Sequence, residues 1–559
     1  MLFGRAKETF RFEKKDACAV LTRYSGRQES VCMPDEYEGL PVAEIGDNAF
    51  YDCAHMQTLT LPQSLKRIGT GAFRGCAALI CVNVPDAVRE IGDYAFASCK
   101  SLEEIRLPAG LPKISAGTFE KCRALTRIKL PDTVTEVGDG AFAQCASLCA
   151  ADMGSGVKQI AENAFKGAGA QLKLILPEGY EGAGPEGFDM LYKRVESGLC
   201  LAAYAGHEVR LALDDAVDGE DVTEIGPRVF AMFAYLESVR LPARLVRIDE
   251  LAFAGCSGIE ELTFPESLKF IDRGAFSGCG QSEGRPSYAR VRRGDMTSAS
   301  GLKAIRLPAG LESVGEGAFS GCYALEEAAF EGADTYIAQS AFSGCGLKRI
   351  KLPAHGTELQ SDVLRGCTEL EALTLPDTLE SIWERALEGC TALKTLILPE
   401  SVQLIAENAL SACTSLTELR IPKNVRYIGD GALSYLFDLK RLSVDAENAR
   451  FSLQNGLLVD TEEARVISAN LSVPNEFIVP YGIKIIGAYA FAGAKYEKLT
   501  LPESTSEIRE FAFAGANLKE LIIKSRTLTA AQNILADVEE VDVDASEEVL
   551  SKIFGDEEE

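Results

Sequence analysis

The sequence predicts a β-rich solenoid of short stacked coils, and three observations carry that expectation. A phrase built on Ala-Phe-x-x-Cys returns every 23 residues, at Phe50/Cys53, Phe73/Cys76, Phe96/Cys99, Phe119/Cys122 and Phe142/Cys145. Between successive Phe residues the apolar grid is constant, as in Cys99-x-x-Leu102-x-x-Ile105-x-Leu107-Pro108 followed by Leu111-x-x-Ile114. The segment Ala19–Gly26 ahead of the first unit also reappears as Leu199–Gly206, at an offset of 180. A fixed period in this range marks units too small to bury their own apolar face, so neighbours supply the core.

The offset holds through Gly39/Gly219, Val42/Val222, Ile45/Ile225 and Phe50/Phe230, so an N-terminal strand-turn-strand motif is used twice. A looser third version runs from Asn455 through Val479 to Ile486. Each is expected to be a β-hairpin that starts or restarts a stack. Inside the repeat, Ile105 and Leu107 share one face of a short strand while Glu104 and Arg106 point the other way. Pro108 ends the strand, since proline cannot donate to a ladder. A Val or Leu and an Ile three residues later precede a Gly turn, as in Val88-x-x-Ile91-Gly92, and the Ala-Phe pair is expected on a short helical or 3-10 turn. The Phe position, filled by Phe or Leu, gives six copies to Phe165, nine from Phe230 to Leu433, and two at Phe491 and Phe513.

Three blocks are expected: 1–183 with six repeats, 184–446 with nine, and 447–559 with two repeats and a C-terminal cap. Gly179–Pro185 reads as an inter-block bend, and the polar stretch of about 280–301, carrying four Arg, as a surface insertion.

These motifs resemble the BspA-like leucine-rich repeats. The usual leucine-rich repeat places Asn or Cys three residues after its last Leu; here that position is Gly110, and the Cys instead precedes the first Leu by three residues. The displaced Cys, the Leu-Pro ending and the Ile-Gly-x-x-Ala-Phe phrase mark the subclass. The resemblance implies a leucine-rich repeat stack with a protein-binding role, and many relatives are secreted or surface-attached.

Net charge is −26 over 559 residues, and no concentrated basic field offers nucleic acid a footing. The start, Met1–Glu8, has no apolar core of an export signal, and no stretch approaches a membrane span. A cytoplasmic protein is therefore expected. Twelve of the 17 Cys occupy one position of successive repeats, from Cys53 to Cys413. That pattern predicts buried, reduced thiols, with the off-column Cys18, Cys32, Cys81, Cys149 and Cys200 the accessible ones. No Cys-x-x-Cys or Cys/His pair sits at zinc spacing, so neither a metal nor a cofactor is expected.

Catalysis is not expected either. His55, His207 and His355 stand far apart with no local partner. Gly138-x-Gly140 formally opens a dinucleotide fingerprint, but Gly315-x-Gly317 and Gly429-x-Gly431 identify it as the repeat's own turn. Asp542 and Asp544 read as alternation on an edge strand, and the acidic turns Asp35–Glu38 and Asp214–Asp218 as solvated loops. The outward strand row remains. It runs through Thr58/Thr60, Glu104/Arg106, Arg127/Lys129 and Ala150/Asp152. Arg106, Arg127 and Lys129 fall on adjacent rungs about 4.8 Å apart, a candidate positive strip for an acidic protein partner whose reversal should leave folding alone. The expected function is a non-catalytic protein-protein interaction scaffold. The alternatives are a secreted or surface adhesin and an enzyme with a site in the inter-block groove near Gly179–Phe188.

Overall fold

The computed structural model describes residues 9–182, 184–280, 301–469, 476–531, 533–536, 538 and 542–554. Most of the surface insertion and the acidic C-terminal residues lie outside the described residues. The chain forms two compact units: Met1–His207 with Asp214–Val229, and Glu208–Leu213 with Phe230–Glu559.

Each coil has three sides. In the first unit a three-residue strand such as Thr58–Thr60 pairs in parallel with its neighbours, giving the ladder Ser30–Cys32, Thr58–Thr60, Cys81–Asn83 and Glu104–Arg106. A two-residue strand after the Pro forms a second ladder, Leu40–Ile45, Arg67–Ile68 and Glu90–Ile91. The strand burial pattern exposed-buried-exposed puts one apolar side chain inward per rung, as a period of two requires.

The third side corrects the expected helical turn. Ala72 N–H donates to Gly69 O, Arg74 N–H to Gly71 O and Cys76 N–H to Phe73 O, so the Ala-Phe segment is a run of reverse turns. Gly71 (φ 60°) and Gly75 (φ 81°) alternate with right-handed residues, and a helix cannot continue through left-handed positions. The same φ is taken by Asn48, Asp52, Tyr94 and Ser98 in neighbouring coils. These turns bond to the next coil, Phe50 N–H to Ala72 O at 2.8 Å and Phe73 N–H to Ala95 O at 2.7 Å. Among the described residues the one α-helix is Glu547–Phe554.

Inside the turns, Phe50 to Phe165 stack with ring centroids 5.0–5.7 Å apart, and Phe230 to Phe342 repeat this in the second unit at 4.9–5.3 Å. The Cys column lies beside the rings. Its buried thiols donate to the carbonyl of the Phe or Leu of the preceding coil, Cys76 to Phe50 at 3.2 Å, Cys99 to Phe73 at 3.3 Å and Cys390 to Leu364 at 3.3 Å. That bond distinguishes Cys from a merely small residue here. Cys76 to Cys413 of the column are buried and Cys53 is half-buried. The off-column residues divide: Cys32, Cys81 and Cys149 are exposed, Cys18 is half-buried, and Cys200 is buried against expectation because it sits in the second hairpin's inner strand.

Longer antiparallel strands start and interrupt the parallel ladders at three places among the described residues. Thr9–Lys15 pairs with Cys18–Ser25, which passes in parallel to Leu40–Ile45. Met190–Val195 pairs with Gly198–Tyr204, entered in parallel from Lys173–Leu176 and left in parallel to Glu220–Ile225. Phe451–Gln454, Leu457–Asp460 and Arg465–Ser468 form a meander that feeds Ile485–Ile486. Residues Leu457–Val549 close an apolar core of their own.

Candidate protein-binding surface

The outward row of the first unit is set by its strands. Arg106 ends the rung Glu104–Arg106, and Arg127 and Lys129 flank the buried Ile128 on the next coil. The rungs are not consecutive members of one ladder. Glu104–Arg106 pairs back to Cys81–Asn83, whereas Arg127–Lys129 pairs forward to Ala150–Asp152. The three bases therefore straddle a seam between two ladders.

None of the three is a free cation. Arg106 reaches Asp86 at 3.2 Å, Arg127 reaches Asp218 at 3.2 Å, and Lys129 reaches Asp152 at 3.2 Å. They line an open groove of about 1030 Å³ whose walls also hold Asp86, Glu103, Glu104, Asp132 and Asp218, so five carboxylates surround three bases. The strip is a mixed-charge row. Arg106 and Arg127 are mostly solvent-exposed, where such pairs contribute about 0–1 kcal/mol each.

Asp152 corrects the expected solvent row. Both Ala150 and Asp152 are buried, Asp152 at 1% exposure, because the strand beyond them joins the second hairpin. From Met190–Val195, Arg194 delivers a bidentate pair to Asp152 at 3.0 and 2.9 Å and turns its remaining donors to Glu220. Burial opposes the Asp152 charge, but the Arg194 bonds and the Gly154 N–H outweigh it and hold the carboxyl below its ordinary pKa. Lys129 thus touches a buried, charge-balanced cluster. Reversing it is expected to place a second carboxylate beside the buried Asp152 and to cost stability there. Nothing in the local sequence signals this cluster: Arg194 and Asp152 lie 42 residues apart.

The remaining candidates take structural places. Glu38 holds Lys14 at 2.6 Å, and Asp214 holds Lys173 at 2.5 Å, so the acidic turns are tied to bases. Gly138 packs where a Cβ would come within 2.8 Å of the Ala116 nitrogen, and Gly140 takes φ 62°, both demands of the coil. His55 and His207 are exposed. His355 has a partner that sequence reasoning missed, Asp334, 2.9 Å from Nδ1. No helix among the described residues is long and apolar enough to cross a membrane.

The family model of the BspA-type leucine-rich repeat region matches residues 43–171, 223–345, 293–369, 335–454 and 470–553. Similar solved structures include a leucine-rich repeat protein from Bacteroides ovatus, 20% identical, covering 91% of this chain and 94% of that one, with a TM-score of 0.30. The leucine-rich repeat protein of T. pallidum is 26% identical over 49% of this chain and 89% of its own, at a TM-score of 0.25. One from Bacteroides capillosus is 28% identical over 26% and 93%, at 0.19. No curated protein matches the sequence.

Proposed function

Because the chain belongs to the BspA-type leucine-rich repeat family, we propose that it is a non-catalytic scaffold that binds a protein partner along the outward row of its three-residue strands. The observation that supports this most is the row itself. Rung after rung presents two exposed side chains around one buried residue, as in Glu104–Arg106, Arg349–Lys351 and Ala372–Thr374, a surface that suits extended protein contacts better than a closed substrate site. In the first unit the proposed contact strip is Arg106, Arg127 and Lys129 with their carboxylates, and its mixed charge favours a partner whose acidic groups exchange with Asp86 and Asp218. The blocks 1–183, 184–446 and 447–559 are the proposed building units, each opened by a hairpin. The free thiols favour a reducing compartment such as the cytoplasm.

The test is affinity capture from native lysate with Arg106→Glu, Arg127→Glu and Lys129→Gln combined, the last chosen to spare Asp152. The reading predicts several-fold lower partner yield at low salt with unchanged thermal stability, since rim charges act through steering and screened contacts. Equal capture by the variant would place binding elsewhere.

A further inference from the structure

For the short strands between Arg247 and Ile428 of the second unit, an apolar residue three positions before the strand's Ile or Val reaches inward: Leu245, Leu268, Leu311, Leu379, Val402 and Val425 are all at most 3% exposed. Two consecutive coils lack it. Asp334 occupies the position 23 residues after Leu311, with its side chain 84% exposed, and Gly356 occupies it in the next coil.

The backbone opens at the same level. Tyr336–Ile337 pairs with Ser313–Val314, and Glu358–Leu359 pairs with Ser381–Ile382, but the two strands belong to different sheets. After the short strand, Ala338 N–H bonds Val314 O at 2.9 Å, Trp383 bonds Leu359 O at 2.9 Å and Ala406 bonds Ile382 O at 2.8 Å; the corresponding Gln360 to Ile337 bond is absent. The coils stay joined on either side, by His355 N–H to Ala333 O and Ser340 N–H to Ser361 O, each 2.9 Å. The opening is therefore a local slit. Its volume is about 180 Å³, with an apolar floor of Ile337, Leu352, Leu359 and Leu379 and a rim bearing Asp334, His355 and Glu358; no Lys or Arg lines it.

We propose that this slit binds a small organic ammonium, its compact apolar body on the leucine floor and its charged head between the carboxylates of Asp334 and Glu358. An apolar cavity of about 150 Å³ accepts one benzene-sized body, which fixes the size class. The rim fixes the charge: two carboxylates oppose an anion, and the Ile337 carbonyl left without its ladder partner is a further acceptor for an ammonium proton. A chain of net charge −26 also concentrates cations at its surface. The same chemistry is carried by a free amine and by the lysyl side chain of a partner.

The experiment is methyl NMR of Leu352, Leu359 and Leu379 in the full chain, titrated with benzylammonium, with N-acetyl-lysine methylamide, and with toluene and phenylacetate. Benzylammonium or the lysine amide is expected to shift these methyls, the stronger of the two identifying the source, while phenylacetate leaves them in place. Asp334→Asn with Glu358→Gln is expected to weaken the ammonium about fivefold, the scale of an exposed ion pair, and leave toluene unchanged. Gly356→Leu restores the repeat's own anchor and abolishes every response. The backbone admits a side chain there: Gly356 lies outside the left-handed region, and a Cβ meets nothing closer than 3.5 Å. The proposal is overturned if neither ammonium shifts the methyls at about 10 mM, if phenylacetate binds as well, or if binding survives Gly356→Leu.

Discussion

Two places in the molecule lose the same hydrogen bonds and end differently. In the first unit the two-residue ladder stops between Glu90–Ile91 and Lys113–Ile114, because Pro112 has no N–H where Arg89 and Thr135 of the flanking coils donate to their predecessors. The gap is nevertheless filled. Val88 and Leu111 are both fully buried, and Ser115 Oγ donates to the Ile91 carbonyl at 2.6 Å. In the second unit, between Ile337 and Leu359, Thr357 and not a proline stands at the Pro112 position, yet the anchors are Asp334 and Gly356 and the slit stays open. A lost pairing is tolerated when the side chain beneath it remains; a site requires the side chain to go.

Moving the defect should have the largest effect. Leu111→Gly would give the closed seam of the first unit the missing anchor of the second, at a cost of about 3–5 kcal/mol from cavity formation and glycine entropy, read in denaturant unfolding. A loss under about 1 kcal/mol would mean that the coils collapse to close such gaps, and the slit would lose its explanation. The reverse change, Gly356→Leu, is expected to stabilise the second unit by about 1–2 kcal/mol by filling space and limiting the unfolded chain; destabilisation would show the slit narrower in solution. Ser115→Ala leaves the buried Ile91 carbonyl without its hydroxyl and should cost about 1 kcal/mol, with no such penalty if water takes its place.

The smallest effect is expected at the thiols, which neither break reaches. Cys345 and Cys367 flank the slit's coils but lie in the buried column, and burial pushes Cys367 up to about 12. Folded protein at pH 9 should therefore label at Cys81 and Cys149 and spare Cys367. The sign for stability follows. The unfolded thiol ionises above about 8.5 while the buried one does not, so stability is complete below that pH and falls as pH climbs towards 12. Prompt labelling of Cys367 would extend the slit into the core.

Much of this was legible from spacing alone. The Phe and Cys columns, the Leu-Pro strand ends and the paired segments Ala19–Gly26 and Leu199–Gly206 each depend on local pattern, and each took its expected place. The helical turn was misread because left-handed residues such as Tyr94 and Ser98 carry no Gly to announce them. The ion pairs of the strip are not legible in the sequence because Asp86, Asp218 and Asp152 reach the bases from other coils and from a turn. The slit left a readable trace: the coil between Phe342 and Leu364 is one residue shorter than the period, and Asp334 and Gly356 interrupt an apolar column. Reading along the Phe and Cys columns passes over Asp334 and Gly356, since those columns continue unbroken past the slit.

The separation of pairing from anchoring is tested most directly by residue-resolved amide hydrogen exchange at Gln360. Its N–H faces the slit without the ladder bond that Ala338 and Trp383 make at the same position of the neighbouring coils. Gln360 is predicted to exchange at least about tenfold faster than either neighbour, and to slow when benzylammonium fills the slit. Protection of Gln360 equal to that of Ala338 and Trp383 in the free protein would mean that the coils close on each other in solution, and that no slit exists there to bind anything.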